Sequence, residues 1–230
     1  MATTWWMHLV WILAAGVLGF GITAVAAGWL KLARSWVVLI YGSVAGAFLY
    51  AYFAWSGIQL LAACRQGWPW GLLGAAVVGF IAARNVSRQS RSARACGGQL
   101  VFDLLWPGLV YGIMDGLFLS VMPLLATQRA FSLLGWPGAG WGTVSTAVAG
   151  LLASTYVTTA YHLGYPEFRG REVGMPILGN DLMTLGMILT GNSLAATVSH
   201  AVMHVAAVIH GMEGTIQLPP HYGEGVGAAG

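Results

Sequence analysis

The sequence predicts an all-α protein, a polytopic transmembrane helical bundle of about seven spans. Two features of composition and one of pattern predict it. Charged residues fill only 7% of the 230 positions, ten basic and seven acidic, against roughly 25% in an ordinary soluble domain. Hydrophobic residues make up 57%, and the mean hydropathy is +0.72. The apolar residues also fall into long runs separated by arginines and turn-forming residues. So few charges cannot cover the surface of a water-soluble globule, which excludes a soluble enzyme, a nucleic-acid binder and a disordered chain. A fully helical chain rising about 1.5 Å per residue would cross a ~30 Å hydrocarbon core roughly eleven times, and loops reduce that to about seven. The 33 glycines suit close packing of helices in a membrane.

The segments follow in order. The first covers 5–30 and is followed by Lys31 and Arg34; it has no basic stretch before its apolar run, which argues against a cleaved signal peptide. The second covers 36–62 and the third, a short one, 68–83. The most polar stretch, 84–99, carries Arg84, Arg88, Arg91 and Arg94. The fourth segment covers 100–126 and the fifth 142–164. A polar loop, 165–172, holds Glu167 and Arg169, expected to be a solvated pair. The sixth (173–190) and seventh (193–210) are joined by a tight Gly191-Asn192 turn. Three regions result: N-terminal helices with a basic loop (1–97), a helical core (98–211) and a flexible tail (212–230). The tail is rich in glycine and proline, a composition expected to be poorly ordered.

Orientation follows from where Lys and Arg fall. With the N-terminus outside and the C-terminus cytoplasmic, Lys31, Arg34, Arg84, Arg88, Arg91, Arg94, Arg169 and Arg171 face the cytoplasm, and only Arg65 and Arg129 face out. Cys64 and Cys96 then lie on opposite sides, so no disulfide between them is expected. Trp5, Trp6, Trp68, Trp70, Trp136 and Trp141 sit near segment ends, where amphipathic rings prefer the headgroup region.

Ionisable side chains inside hydrocarbon cost several kcal/mol unless they face water or the protein interior, so they are functional candidates by default. Here these are Asp115 in segment four, His162 late in segment five, Asp181 in segment six, and His200 and His204 in segment seven. The topology puts Asp115 toward the outer end of its segment and His162 toward the inner end of its own. His8, Asp103 and His210 lie nearer segment ends and are expected to reach toward water. Asp181, after Asn180, is placed equally well as a helix cap or as a site residue. His200 and His204 are spaced i, i+4 and share one helix face. With His162 and Asp115 they make three imidazoles and a carboxylate, a donor set suited to a divalent metal such as zinc. The alternative is an interhelical hydrogen-bond cluster, worth about 0.6 kcal/mol per bond.

Three stretches carry a resemblance. Segment four reads Tyr111-Gly-Ile-Met-Asp115-Gly116-Leu-Phe-Leu-Ser120. Segment five contains Thr158-Thr-Ala-Tyr-His162-Leu-Gly. Segment seven runs Thr190-Gly-Asn-Ser-Leu-Ala-Ala-Thr-Val-Ser-His200-Ala-Val-Met-His204. In order and helix placement these resemble the CAAX-protease and bacteriocin-processing family of intramembrane proteases. Its pattern is Glu-Glu-x-x-x-Arg, then Phe-x-x-x-His, then His-x-x-x-Asn. Asp115 stands for the first Glu, Gly116 for the second and Ser120 for the Arg. Thr158 stands for the Phe, His162 and His200 match, and His204 stands for the Asn. The resemblance covers about 98–210. It implies a water-filled intramembrane cavity in which a carboxylate and a histidine activate water to cut a peptide bond near a membrane-anchored C-terminus. Asp115 would then be the general base, assisted by His162, with His200 stabilising the oxyanion or acting as a second base and His204 in the Asn position. The partners implied are the lipid bilayer, a membrane-anchored peptide or other membrane subunits, and no nucleic acid. The substitutions leave a second function open: a non-catalytic subunit or scaffold of the same fold, whose histidines hold a metal, haem or lipid. A desaturase or hydroxylase is disfavoured, since a single pair of closely spaced histidines does not make the several boxes such enzymes need.

Overall fold

The computed structural model describes residues 4–219. Among these the chain is helical, with no strand. Helix α1 (Trp5–Thr23) continues as a π-helical stretch, Ala24–Trp29. It is followed by α2 (Arg34–Ser56), a short α3 (Leu60–Arg65) and α4 (Trp68–Val86). Helix α5 runs over Gly97–Leu133. Then come α6 (Trp141–Leu163), α7 (Gly174–Thr190) and α8 (Leu194–His210). Five stretches are long and apolar enough to cross a bilayer: Trp5–Trp29, Arg34–Ser56, Trp68–Val86, Gly97–Leu133 and Arg171–Thr190. Helix α8 has only 17 residues. Helix α6 is diluted by seven serines and threonines. The sequence expectation of seven spans therefore meets five that qualify by length and composition alone.

The turn between α7 and α8 is built by two residues. Gly191 takes the left-handed conformation, φ +64°, which a side chain disfavours. Asn192 then accepts the Leu194 amide on Oδ1 (2.8 Å) and donates Nδ2 to the Cys64 and Gln66 carbonyls (2.9 and 2.7 Å). This ties the loop to the segment before α4. His8, fully buried, meets the Tyr52 hydroxyl at the same end of the bundle.

The opposite end is held by polar contacts of the basic segments. Arg34 donates to Glu213 Oε1 (3.0 Å) and to the Pro219 carbonyl (2.6 Å). His210 donates to the Gln89 carbonyl, and Ser92 Oγ accepts the Glu213 and Gly214 amides. Residues 212–219 of the C-terminal segment are therefore packed, with Leu218 buried. The rest of the expected tail, 220–230, lies outside the described residues. Exposed tryptophans mark both ends: Trp5, Trp6, Trp68, Trp70, Trp136 and Trp141 at one, Trp29 and Trp36 at the other.

One helix pair positions the site. Gly108, Gly112 and Gly116 recur every four residues on α5 and face Val205, Ala201 and Thr197 of α8. A Cβ at Gly112 would lie 2.7 Å from the Ala201 Cα, and one at Gly116 would lie 2.7 Å from the Thr197 Cα. The two backbones touch with no side chain between them, the close approach that small residues permit in membranes. Helix α5 departs from α geometry on both sides of this contact, in π-helical stretches at Leu104–Val110, which contains Pro107, and Gly116–Val121. Such widened turns are frequent at functional sites.

The Gly112→Ala substitution pushes a methyl into backbone and should cost about 1–3 kcal/mol, the usual penalty of overpacking. Gly21→Ala, where nothing lies within 4 Å of the added carbon, should be neutral. Thermal unfolding of the two variants in the same detergent checks the contrast.

Candidate functional site

The seam between α5 and α8 brings together Asp115, His200 and His204. All three are buried, 4%, 3% and 1% exposed. Each offers one possible ligand atom, and those atoms lie within 4.8 Å of one another. His204 Nε2 stands 3.1 Å from Asp115 Oδ2. The i, i+4 spacing on α8 stacks the two imidazoles, with ring centroids 6.2 Å apart and planes 19° from parallel. The edge of Tyr111 packs on His204 at 4.8 Å.

His200 is held by a second set of residues. Its Nε2 meets Asn180 Oδ1 at 3.2 Å. An amide oxygen only accepts, so this nitrogen carries the proton, and the neutral ring keeps a lone pair on Nδ1. The same reasoning protonates Nε2 of His204 against the Asp115 carboxylate. Asn180 is a hub: Oδ1 also accepts from Ser120 Oγ (2.9 Å), and Nδ2 donates to Ser154 Oγ (2.8 Å). Ser154 donates to the Leu119 carbonyl, and Thr184 bonds both Ser154 and Ser120. This network links α5, α6 and α7 and leaves every hydroxyl in it satisfied.

The Asp/His cluster differs. Asp115 Oδ1, His200 Nδ1 and His204 Nδ1 are buried without a hydrogen-bond partner. The Tyr41 hydroxyl, also buried and without a partner within hydrogen-bond distance, approaches Asp115 as a potential donor, and the two imidazole Nδ1 atoms are left to meet water or a cation. Buried polar atoms are usually paired, and exceptions point to redox, catalytic or ion-binding roles.

His162 stands apart from the three. Its Nδ1 donates to the Thr158 carbonyl one turn back (2.8 Å), and its ring packs on Tyr161 and Phe168. It lines the same cavity, a space of about 470 Å³ that Asp115, His200 and His204 also line. The depth mismatch expected between Asp115 and His162 does not arise, because both line one cavity, with Asp115 midway along the 37 residues of α5. Beside this wall three phenols share hydrogen bonds, Tyr111 to Tyr161 (2.6 Å) and Tyr161 to Tyr165 (3.0 Å).

The other ionisable residues take structural places. Asp181 lies inside α7 rather than at its cap and accepts from Thr155 Oγ1 (2.8 Å). One residue is a turn of about 100°, so Asp181 faces α6 away from the cavity while its neighbour Asn180 faces in. His8 and Asp103, expected to reach toward water, are buried instead: His8 against Tyr52, and Asp103 accepting from Gln99 Nε2.

The sequence reading missed Asn180, Ser120, Ser154 and Thr184. Neutral polar residues do not stand out in apolar helices, although an asparagine beside an intramembrane aspartate was a usable signal. No family model matches the sequence, and neither a curated protein nor a solved structure matches it, so the chemistry of the site rests on its own geometry.

Asn180→Ala removes the acceptor of Ser120 and His200 at once and one of the donors to Ser154. Each abandoned group costs about 1–3 kcal/mol. Because the residues share one network, Asn180→Ala and Ser154→Ala should be non-additive by at least about 0.5 kcal/mol. A double-mutant cycle on unfolding free energy measures this.

Proposed function

We propose that the chain is a seven-span membrane protein, N-terminus outside and C-terminus cytoplasmic, that hydrolyses a carboxylic acyl bond in a substrate anchored in the bilayer. The observation that carries the reading is the buried Asp115–His204 pair at a cavity floor. Asp115 holds the imidazole by Nε2–H, which leaves Nδ1 as its basic nitrogen. In the proposed step Nδ1 takes a proton from water as the water oxygen bonds to the carbonyl carbon. The bond to the leaving group then breaks, and the same proton passes from His204 to that group. His200, oriented by Asn180, supplies a second lone pair that holds the attacking water beside His204. Positioned acid–base groups of this kind contribute about 10²–10⁴-fold.

The resemblance to the CAAX-protease family, whose members cut a peptide bond, supports hydrolysis of an acyl bond at this site, with roles redistributed. His204 rather than Asp115 is the group suited to take the proton. A second carboxylate after Asp115 has no room, because any side chain at Gly116 meets the backbone of α8. Ser120, in the place of the family's Arg, belongs to the Asn180 network.

One observation favours a second reading, a divalent metal held by Asp115, His200 and His204. The 3.1 Å between His204 Nε2 and Asp115 Oδ2 suits a hydrogen bond. It also suits two neighbouring ligands on one ion, which for bonds of 2.0–2.1 Å stand about 3.3 Å apart. Such an ion would polarise the carbonyl or the water, and the residues fit it without rearranging the fold.

Asp115→Asn should keep the fold and lower turnover of a membrane-anchored reporter peptide by about 10²–10⁴-fold. Unchanged turnover sinks the hydrolytic reading. Metal content of the purified protein separates the two chemistries: a stoichiometric ion lost in His200→Ala supports the metal, and an active metal-free sample removes it. The topology predicts that a membrane-impermeant maleimide reaches Cys96 only from the cytoplasmic face and Cys64 only from the other. Burial pushes the Cys64 thiol pKa up, so it should also react more slowly, the thiolate being the nucleophile. The opposite sidedness reverses the orientation.

A further inference from the structure

The cavity has a shape and a charge distribution that specify more than its floor. Helices α4 and α7 touch toward the end that bears the Gly191 turn. A Cβ at Gly74 would lie 2.8 Å from Thr190 Cγ2, and one at Gly186 would lie 3.1 Å from Val78 Cγ2. Toward the basic end the two helices line the cavity instead. Phe80 and Ile81 stand on one side and Leu178 and Leu182 on the other. Phe80 and Leu178 are 65% and 69% exposed, so the wall here is a side opening with apolar edges at membrane depth.

The end of the cavity is covered by the chain itself. Residues 216–219 line it, and Arg34 pins that segment through Glu213 and the Pro219 carbonyl. Between α4 and α7 the exposed Phe80 and Leu178 leave the cavity a lateral route.

At the rim stand Arg84 and Arg88, both lining the cavity. Among the described residues the ion pairs are Arg34–Glu213 and His204–Asp115, and neither arginine takes part in one. Their height relative to the floor follows from the packing of α4 on α8. Gly79 faces Val202, and the helices run in the same direction. Arg84 lies five residues beyond Gly79 and His204 two beyond Val202. At about 1.5 Å per residue Arg84 is some 5 Å further along the axis than His204, and Arg88, in the turn that follows Val86, lines the cavity beyond it. A group held by the two arginines is thus a few bonds from the reacting atoms.

Resting on the hydrolytic site described above, we infer that the substrate is an anionic lipid. Its acyl chain enters sideways between α4 and α7, its phosphate is held by Arg84 and Arg88, and its acyl linkage lies near His204. Arginine forks match phosphate oxygens. The cavity volume falls within the range of about 300–1,000 Å³ typical of ligand sites. An interfacial phosphate a few bonds above a carbonyl linkage reproduces the vertical spacing of rim and floor.

The test is lipid retention by the full chain in neutral detergent, read by native mass spectrometry. The probes are lysophosphatidic acid, lysophosphatidylcholine of the same acyl chain, and inorganic phosphate. The wild type should retain the anionic lipid over the choline lipid by about tenfold or more, the order that charge-assisted hydrogen bonds supply. Arg84→Gln with Arg88→Gln should reduce that preference below about threefold, while Arg84→Lys with Arg88→Lys keeps most of it. Arg91→Gln with Arg94→Gln removes the same charge away from the cavity and should change nothing. Leu178→Trp, which narrows the side opening, should weaken retention of both lipids. Asp115→Asn should bind normally and fail to turn the lipid over, so retention without turnover in the wild type would overturn the hydrolytic site and leave the lipid site standing. Equal retention of the two lipids by the wild type overturns the proposal without recourse to any variant. Competition by inorganic phosphate as strong as that by the lipid would assign the arginines to a free anion and overturn it as well.

Discussion

The backbone contact between α5 and α8 is the constraint on which the rest of the site depends. Side chains reach only a short way, and Asp is the shortest carboxylate. For Asp115 to meet His204 at 3.1 Å from a neighbouring helix, the helices must pack closer than ordinary interdigitating side chains allow. Gly108, Gly112 and Gly116 remove the intervening atoms. The same close approach closes position 116 to any side chain. Having one short carboxylate, and having no second one beside it, are then consequences of a single packing decision.

Two polar clusters share this seam and differ in kind. The Ser120–Asn180–Ser154–Thr184 group is closed, each donor meeting an acceptor on another helix. In a low-dielectric interior such a network fixes relative helix positions, because breaking any member strands its partners. The Asp115–His200–His204 group is open, with an acceptor atom left over on each residue. The closed network holds the open one: His200 is oriented by Asn180, and His204 by Asp115. Other buried polar atoms also lack a partner, among them His8 Nε2 and Thr158 Oγ1, but three within one cluster that lines a cavity mark a place where a ligand can bind.

The sequence disclosed the helices and the charged members of the site for one physical reason. Ionisable groups are expensive in hydrocarbon, so each intramembrane one stands out against an apolar background. Asp115, His200 and His204 were legible on that basis, and the i, i+4 spacing put the two histidines on one face. Asn180 and its hydroxyl partners were not, because neutral polar residues are common in membrane helices and their value depends on neighbours from other segments. Depth was also illegible. The helix expected over 100–126 runs instead over Gly97–Leu133, and Asp115, expected toward its outer end, lies at its middle. Apolar periodicity locates a helix but not the point at which it leaves the membrane. His8 shows the converse error: near a segment end, it is nonetheless buried because an aromatic partner, Tyr52, comes from α2.

The glycines on α4 and α7 carry the argument from geometry to access. Where Gly74 and Gly186 lie, these helices close on Thr190 and Val78. Where the small residues give way to Phe80, Ile81 and Leu178, the walls part. A helix pair that is tight at one end and splayed at the other makes a wedge, and a wedge between membrane helices opens to lipid. The strap of 216–219 lines one end of the cavity, and Arg84 and Arg88 line it as well. Small residues thus set both dimensions of the cavity. On α5 they bring Asp115 against the two histidines, and on α4 and α7 their limited extent determines where the helices part.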